Sequence, residues 1–311
     1  MGDVNIFLSL LAGSLVKAAM MMWAQGHPVR KRDWEKVGTV SELFVHPLKS
    51  GRGWSVTEAQ VESIGLRYNG VLDRFYLLTN SEYRRLNIRM EPTMALIEAS
   101  IHGDDVHFDA PGMNTLILPK HIKPTTENQF ECTIKDKLHR GIDCGLEAGL
   151  WFSTYLKREN LKFIIPDKML NEIRPFSNFY FINPQMVLCQ SSVDDLNSRL
   201  ENYETTVREF RPNVVITGPS AYSEDDWEEM QIGDIHYKMT EPCLRCLITT
   251  VKAETGVRNP TIEPLKTLRK YRMLPTHPAG PVLGRYCENT TTGEIRVGDP
   301  VYIIRRRQST A

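Results

Sequence analysis

Apolar and polar positions fall into two regimes along the chain. From Ile6 to Trp23 every residue is apolar or small except Ser9, Ser14 and Lys17. That length is near the ~20 residues a helix needs to cross a bilayer. Pro28 and the charged run Arg30 to Lys36 end the stretch. From Thr39 the pattern becomes short and alternating. Thr39–Val45, closed by His46-Pro47, reads as a strand, as do Arg74–Thr79, Ala95–Ile101 and Asn114–Leu118. Leu146–Lys157 carries apolar pairs four apart (Leu146/Leu150, Trp151/Tyr155, Phe152/Leu156) behind Gly145, which predicts a helix. Residues 165–185, with Pro166, Pro175 and Pro184, read as irregular. Ser192–Leu200 predicts a second helix, capped by Ser191 or Ser192 and apolar at Val193, Leu196 and Leu200. Asn213–Gly218 has the composition of a buried strand. Cys246–Val251 also reads as a strand, and Ile295–Ile303 as strand, turn, strand. The expected class is α+β and β-rich, with helices inserted among the strands of a barrel.

Composition narrows the function classes. The chain has 311 residues, 41% hydrophobic and 24% charged, which excludes a mostly disordered protein. Lys+Arg and Asp+Glu are both 38. A general nucleic-acid binder needs a basic surplus, so none is expected. The zero is an average over unlike parts. Residues 1–36 hold five basic and three acidic side chains, and Arg305, Arg306 and Arg307 add three more basic ones. The remaining body has 30 basic and 35 acidic residues. Six cysteines in this length are too sparse for a disulfide scaffold. Only Cys243 and Cys246 stand as C-x-x-C, with no second pair or histidine pair at zinc-finger spacing.

The apolar stretch is expected to be an uncleaved membrane anchor. Lys17 weighs against it, at roughly 2.5–3.5 kcal/mol for a mid-membrane lysine, unless it snorkels. No basic residue precedes the stretch, which weighs against a cleaved signal. A cleaved signal and a helix buried in the fold remain the alternatives. Arg30, Lys31, Arg32 and Lys36 follow it and would hold the body in the cytosol. The expected layout is an anchor over 1–25, with the membrane met by residues 5–23, a linker over 26–37, and two modules over 38–160 and 161–308.

Four stretches carry candidate chemistry: His46-Pro47-Leu48-Lys49-Ser50-Gly51, Asp73-Arg74-Phe75, Phe210-Arg211-Pro212-Asn213, and Glu241 to Val251. Lysine, serine and two arginines near strand ends provide the fixed charge and donors of an oxyanion or phosphate site. A cysteine beside an arginine tends towards thiolate, the metal-binding form. Each stretch alone also has a plain reading: a turn, a structural ion pair, or a thioredoxin-type C-x-x-C without its βαβ context.

Together the stretches resemble the MOSC family, named for the carboxy-terminal domain of molybdenum cofactor sulfurases, and in particular its mitochondrial amidoxime-reducing branch. The resemblance covers about residues 38–304. It rests on H-P-L-K-S-G at 46–51, V-L-D-R-F-Y at 71–76, D-D-L-N-S-R-L at 194–200, F-R-P-N-V-V-I at 210–216, P-C-L-R-C-L-I-T-T-V at 242–251 and V-G-D-P-V-Y at 297–302. It implies a MOSC-type β-barrel with inserted helices, an amino-terminal β-barrel module, and a molybdenum cofactor (Mo-molybdopterin). Cys246 would be the molybdenum ligand and Cys243 a supporting or structural residue. Lys49, Ser50, Arg74, Asn183, Arg211, Asn213, Leu244 and Arg245 would bind the cofactor. The activity implied is reduction of N-hydroxylated compounds such as amidoximes and hydroxylamines. Electrons would come from NADH through cytochrome b5 reductase and cytochrome b5, on the outer mitochondrial membrane with the body in the cytosol. The rival is a cofactor-binding or sulfur-carrier protein without reductase activity. One segment departs from the family. Where relatives carry S-D-x-S-P, this chain reads Tyr180-Phe181-Ile182-Asn183-Pro184, which leaves the proton donor unnamed. The loop 271–287, with Thr276-His277-Pro278, diverges too.

Overall fold

A computed structural model describes residues 33–134, 137–167 and 185–306, with backbone alone at 131–134 and 137–139. The expected anchor, most of the linker and the segment holding Asn183 lie outside the described residues. Among the described residues no helix is long and apolar enough to cross a membrane.

The chain opens with the long strand β1 (Glu35–Val45), then β2 (Trp54–Val56), β3 (Glu58–Glu62), β4 (Gly65–Tyr68), β5 (Val71–Leu72) and β6 (Leu77–Thr79). A meander of β7 (Glu98–His102), β8 (Asp105–Asp109) and β9 (Leu116–Pro119) follows. Next come the hairpin β10 (Gln129–Ile134) and β11 (Lys137–Asp143), helix α1 (Leu146–Leu156), and β12 (Lys162–Pro166). The second half runs β13 (Gln185–Cys189), α2 (Gln190–Ser198), α3 (Val207–Phe210), β14 (Val214–Thr217), β15 (Trp227–Ile232), β16 (Ile235–Leu244), α4 (Leu265–Tyr271), β17 (Val282–Asn289), β18 (Gly293–Arg296) and β19 (Pro300–Arg305).

Seven strands close into a barrel in the order β14-β13-β17-β16-β15-β19-β1, because β1 also pairs with β14. Closure leaves no open edge within the ring. β1 can serve two partners because it is long and bulged: Glu35–Thr39 pairs with β19 and Thr39–Leu43 with β14. Gly38 sits where a Cβ would lie 2.0 Å from the Thr217 carbonyl oxygen, so only glycine lets the strands approach there. The barrel is filled by Val40, Leu43, Trp227, Met230, Val301 and Ile303 among others. β13 and β14 are parallel neighbours, and α2 and α3 form the crossover between them. These helices and α4 cover one wall through Phe44, Leu188, Leu196, Phe210, Cys243 and Leu283.

The remaining strands form three small sheets: β18-β3-β4-β5, β10-β11-β12-β6 and β7-β8-β9. A second core lies between the latter two and α1, built around Tyr76, Phe108, Phe152 and Phe163. Their rings meet edge to face, stacked or tilted at 4.3–6.2 Å.

The β-rich α+β class read from the pattern is the class observed. Particular elements differ. β1 starts at Glu35, so the last residues expected in the linker already belong to the barrel. Cys246–Val251 is not a strand but a 3₁₀ turn at Leu247–Thr250. The Thr249 and Thr250 hydroxyls donate to the Cys246 and Leu247 carbonyls, closing the turn. α2 begins at Gln190 with Cys189 at its N-cap, because the Ser192 hydroxyl is drawn instead to buried Glu224. Of Arg74–Thr79 only Leu77–Thr79 is a strand, and Ala95 and Leu96 sit in a 3₁₀ turn before β7.

Candidate functional site

The four candidate stretches, far apart in sequence, are joined by hydrogen bonds into one patch where β1, α3 and β16 end. The first and second run side by side. Leu48 and Tyr76 form a parallel bridge. The Lys49 amide donates to the Tyr76 carbonyl at 2.9 Å, and the Tyr76 amide to the Pro47 carbonyl at 2.9 Å. The Arg74 amide donates to the His46 carbonyl, and the Asp73 carboxylate accepts from the His46 amide at 2.7 Å. Both Ser50 and Arg74 adopt left-handed backbone in these turns, at φ 76° and 56°.

Arg74 then reaches the third stretch. Its guanidinium pairs with Asp73, donates to Asn213 Oδ1 at 3.2 Å and to the Arg211 carbonyl at 3.1 Å. Asn213 is fully buried. Its Oδ1 also accepts from the Met186 amide at 3.1 Å, and its Nδ2 donates to the Phe44 carbonyl at 3.2 Å. It therefore locks β1, β13 and the Arg74 guanidinium to one another. Arg211, in left-handed backbone at the carboxyl end of α3, donates from Nη1 to the Gly51 carbonyl at 2.6 Å.

The fourth stretch is tied in by Arg245. Its buried guanidinium donates to the Leu283 and Phe210 carbonyls and meets Met186 Sδ. Its amide donates to the Pro281 carbonyl at 2.7 Å. Arg245 thus fixes the backbone beside Cys246 rather than presenting charge. The two cysteines separate clearly. Cys243 is buried in the core under the helices, and burial, with the nearby Cys243 thiol, pushes the Tyr286 hydroxyl upward. Cys246 is half-buried, a free thiol at the start of the 3₁₀ turn whose Ile248 and Val251 pack into the second core. Leu244 is exposed, at the end of β16.

Electrostatics single out the same patch. Burial lowers the Lys49 ammonium to about 7, and Arg85, Arg74 and Arg211 add to the effect, with Asp73 opposing it. Burial and the neighbouring Arg74 lower Arg211 to about 9, again opposed by Asp73. One carboxylate thus faces several cations. A buried positive surplus is costly unless an anion meets it. Arg211 Nη2 is buried without a protein partner among the described residues. Such a cluster suits a phosphate, which takes forked donors and a point charge together.

The Lys49 shift has a measurable consequence. Between about pH 7 and the unfolded value of roughly 10.4, the unfolded chain binds a proton that the folded chain does not. Stability of the anion-free protein should therefore rise with pH across that window, and the penalty is fully present below it. Urea unfolding from pH 6.5 to 9.5 is expected to show a steeper rise than in Lys49→Met. Identical slopes would contradict the burial of a charged lysine here.

Lys49, Arg74, Arg211, Asn213 and Arg245 are therefore brought into one hydrogen-bonded assembly, with Ser50 buried in the turn beside Lys49. Residues without an assigned role matter as much. Asp73 and His46 brace the first two stretches, and Tyr286 faces Cys243. Charge alternation at Asp73-Arg74 was the one local signal; Tyr286 had none, since only the pairing of β17 with β16 places it near Cys243. Among the described residues no three His, Cys, Asp or Glu side chains converge as a metal site.

Residues 37–159 match the MOSC N-terminal beta barrel domain, and residues 181–302 match the MOSC domain. The chain is 35% identical to mitochondrial amidoxime-reducing component 1 of Mus musculus, over 96% of this chain and 93% of that one. It is 34% identical to the component 1 of Homo sapiens, over 96% and 92%. It is 35% identical to mitochondrial amidoxime reducing component 2 of Bos taurus, over 90% and 87%. The chain belongs to the MOSC-domain family, alongside the mitochondrial amidoxime-reducing components.

Proposed function

We propose that the protein is a molybdenum-cofactor-dependent reductase of N-hydroxylated compounds, amidoximes and hydroxylamines among them. The observation that carries this reading is the buried cationic patch of Lys49, Arg74 and Arg211, hydrogen-bonded into the same assembly as the segment that presents the half-buried Cys246 thiol. The names of the relatives supply the substrate class.

The residues present fit the cofactor's chemistry. Lys49, Arg74 and Arg211 would hold its phosphate, with Arg211 Nη2 the donor still to be satisfied. The Ser50 turn brings the first stretch against it. Asn213 acts by position, since its amide is already engaged by Arg74, Met186 and Phe44. Arg245 holds the loop that presents Cys246, and Cys246 would be the protein's sulfur ligand to the metal, suited to a soft centre. Cys243 and Tyr286 brace the strand behind it. Leu244 would line the approach. Asn183 is proposed with them from its sequence position alone. When bound, the cofactor supplies the two-electron redox chemistry, and the protein supplies placement. Electrons would come from NADH through cytochrome b5 reductase and cytochrome b5. Residues 5–23 would anchor the chain, with the outer mitochondrial membrane as the proposed site and the body in the cytosol.

The test is reconstitution. Purified metal-replete protein with NADH, cytochrome b5 and its reductase is expected to reduce benzamidoxime to benzamidine. Metal-replete protein that leaves benzamidoxime unchanged would favour a cofactor-binding or sulfur-carrier role instead.

A further inference from the structure

Nine large apolar side chains are exposed among the described residues, and two of them bracket Cys246: Leu244 at 42% and Leu247 at 37%. Single apolar residues on a surface are ordinary, but these two stand on either side of a free thiol. Backbone geometry puts them together. Successive side chains of an extended chain point to opposite faces. Cys243 and Arg245 are buried, whereas Leu244 is exposed and Cys246 half-buried. Cys246 itself is extended, at φ −137° and ψ −175°. Leu244 and Cys246 therefore share the outer face of one strand end, with Arg245 turned inward between them. Leu247 follows at the first position of the 3₁₀ turn, and the next residue, Ile248, packs into the second core.

The loop 273–281 is fixed beside this strand end. Its base is closed in both directions: the Val282 amide donates to the Arg272 carbonyl at 3.0 Å, and Arg272 Nε to the Val282 carbonyl at 3.0 Å. Its returning end runs along Arg245, whose amide donates to the Pro281 carbonyl at 2.7 Å. A Cβ on Gly280 would lie 3.1 Å from the Arg245 carbonyl oxygen, next to the Cys246 peptide. Midway, His277 Nε2 meets the exposed Glu241 carboxylate of β16 at 3.2 Å. Pro275, Pro278 and Pro281 restrict the loop's backbone. Neither segment offers free charge. Within 242–250 the only charged residue is Arg245, whose guanidinium donates to the Leu283 and Phe210 carbonyls. Within 273–281 only His277 can ionise, and it is engaged by Thr276 and Glu241. The surroundings of the thiol on this side are therefore apolar, uncharged and held in place.

We propose that Leu244 and Leu247 form an apolar rim at the thiol, and that this rim selects N-hydroxylated substrates with an aromatic or bulky apolar body over small polar ones such as hydroxylamine itself. This rests on the reductase reading and narrows its substrate class. Apolar surface on the substrate body covers the two leucines, and its polar N–OH end is left towards the thiol. Apolar contacts of this kind act on binding, so their loss raises KM and leaves kcat unchanged. Leu247 is a specificity-determining residue, since its side chain takes no part in the turn's hydrogen bonds, which use its carbonyl alone.

Two measurements decide it. Metal-replete protein with NADH, cytochrome b5 and its reductase is assayed on benzamidoxime and on hydroxylamine. Leu247→Asn keeps the size of the side chain and replaces its apolar end with a polar one. Its KM for benzamidoxime is expected to rise about tenfold, the lower end of what one apolar group discriminates. Its molybdenum content, its kcat and its KM for hydroxylamine are expected to stay at wild-type values. Leu247→Met, apolar again, is expected to restore the benzamidoxime KM. An unchanged benzamidoxime KM in Leu247→Asn overturns the proposal, as does an equal loss on both substrates. The second measurement needs no turnover: benzamidoxime is titrated calorimetrically into metal-replete protein without NADH. Binding to wild type that weakens about tenfold in Leu247→Asn supports the rim. No binding to wild type, or equal binding to both, overturns it. Wild-type protein that binds benzamidoxime in this way and reduces neither compound defeats the reductase reading alone.

Discussion

Cys246→Ala is expected to abolish molybdenum retention while leaving the fold intact, whereas Cys243→Ala is expected to keep the metal and lose stability. The two thiols are three residues apart yet occupy different environments. Cys246 begins an exposed-edged turn whose shape is set by Thr249 and Thr250 backbone bonds, none of which uses the thiol. Removing it costs the fold little. Cys243 is packed among Phe44, Leu188 and Leu283. Truncating it leaves a small cavity, worth about 1–2 kcal/mol. Metal analysis alongside urea unfolding separates the two variants. Loss of all metal in Cys243→Ala, with retention in Cys246→Ala, would reverse the assignment of the ligand.

Arg74→Ala should have the largest effect on stability within the site. It leaves the Asp73 carboxylate buried without its guanidinium and removes the donors to Asn213 Oδ1 and the Arg211 carbonyl. Breaking a buried ion pair from one side costs roughly 3–5 kcal/mol. Cofactor content should fall with it, because Arg211 and the 46–51 turn lose their common brace. Arg74→Lys restores the charge but not the fork, and is expected to recover only part of the loss. The paired variant Asp73→Asn with Arg74→Ala should be less unstable than Arg74→Ala alone, since no buried charge remains. Equal stability of Arg74→Ala and wild type would show that the three stretches are not joined through this guanidinium.

Much of the fold was legible in residue pattern. β1, α1, β14, β18 and β19 lie within a few residues of their predicted positions, because their apolar spacing matches the geometry of the element. Cys246–Val251 misled because Leu247, Ile248 and Val251 imitate a strand, while the threonine hydroxyls favour a turn that only packing against the second core makes visible. Ser192 looked like a cap because the partner that claims it, Glu224, lies 32 residues away. The site followed the same division. Lys49, Arg74 and Arg211 announce themselves by residue type. The roles of Asn213 and Arg245 do not, since each looked like a ligand-facing group and each spends its hydrogen bonds on the backbone of other strands. Long-range pairing, not local sequence, sets those roles.

The central claim is that the patch under Cys246 holds a molybdenum cofactor, and the metal content of the purified wild-type protein tests it most directly. About one molybdenum per chain, lost in Cys246→Ala, is the expected result. Protein that is folded, has an intact anion patch by the Lys49 titration, and carries no molybdenum after expression in a cofactor-producing host would contradict it.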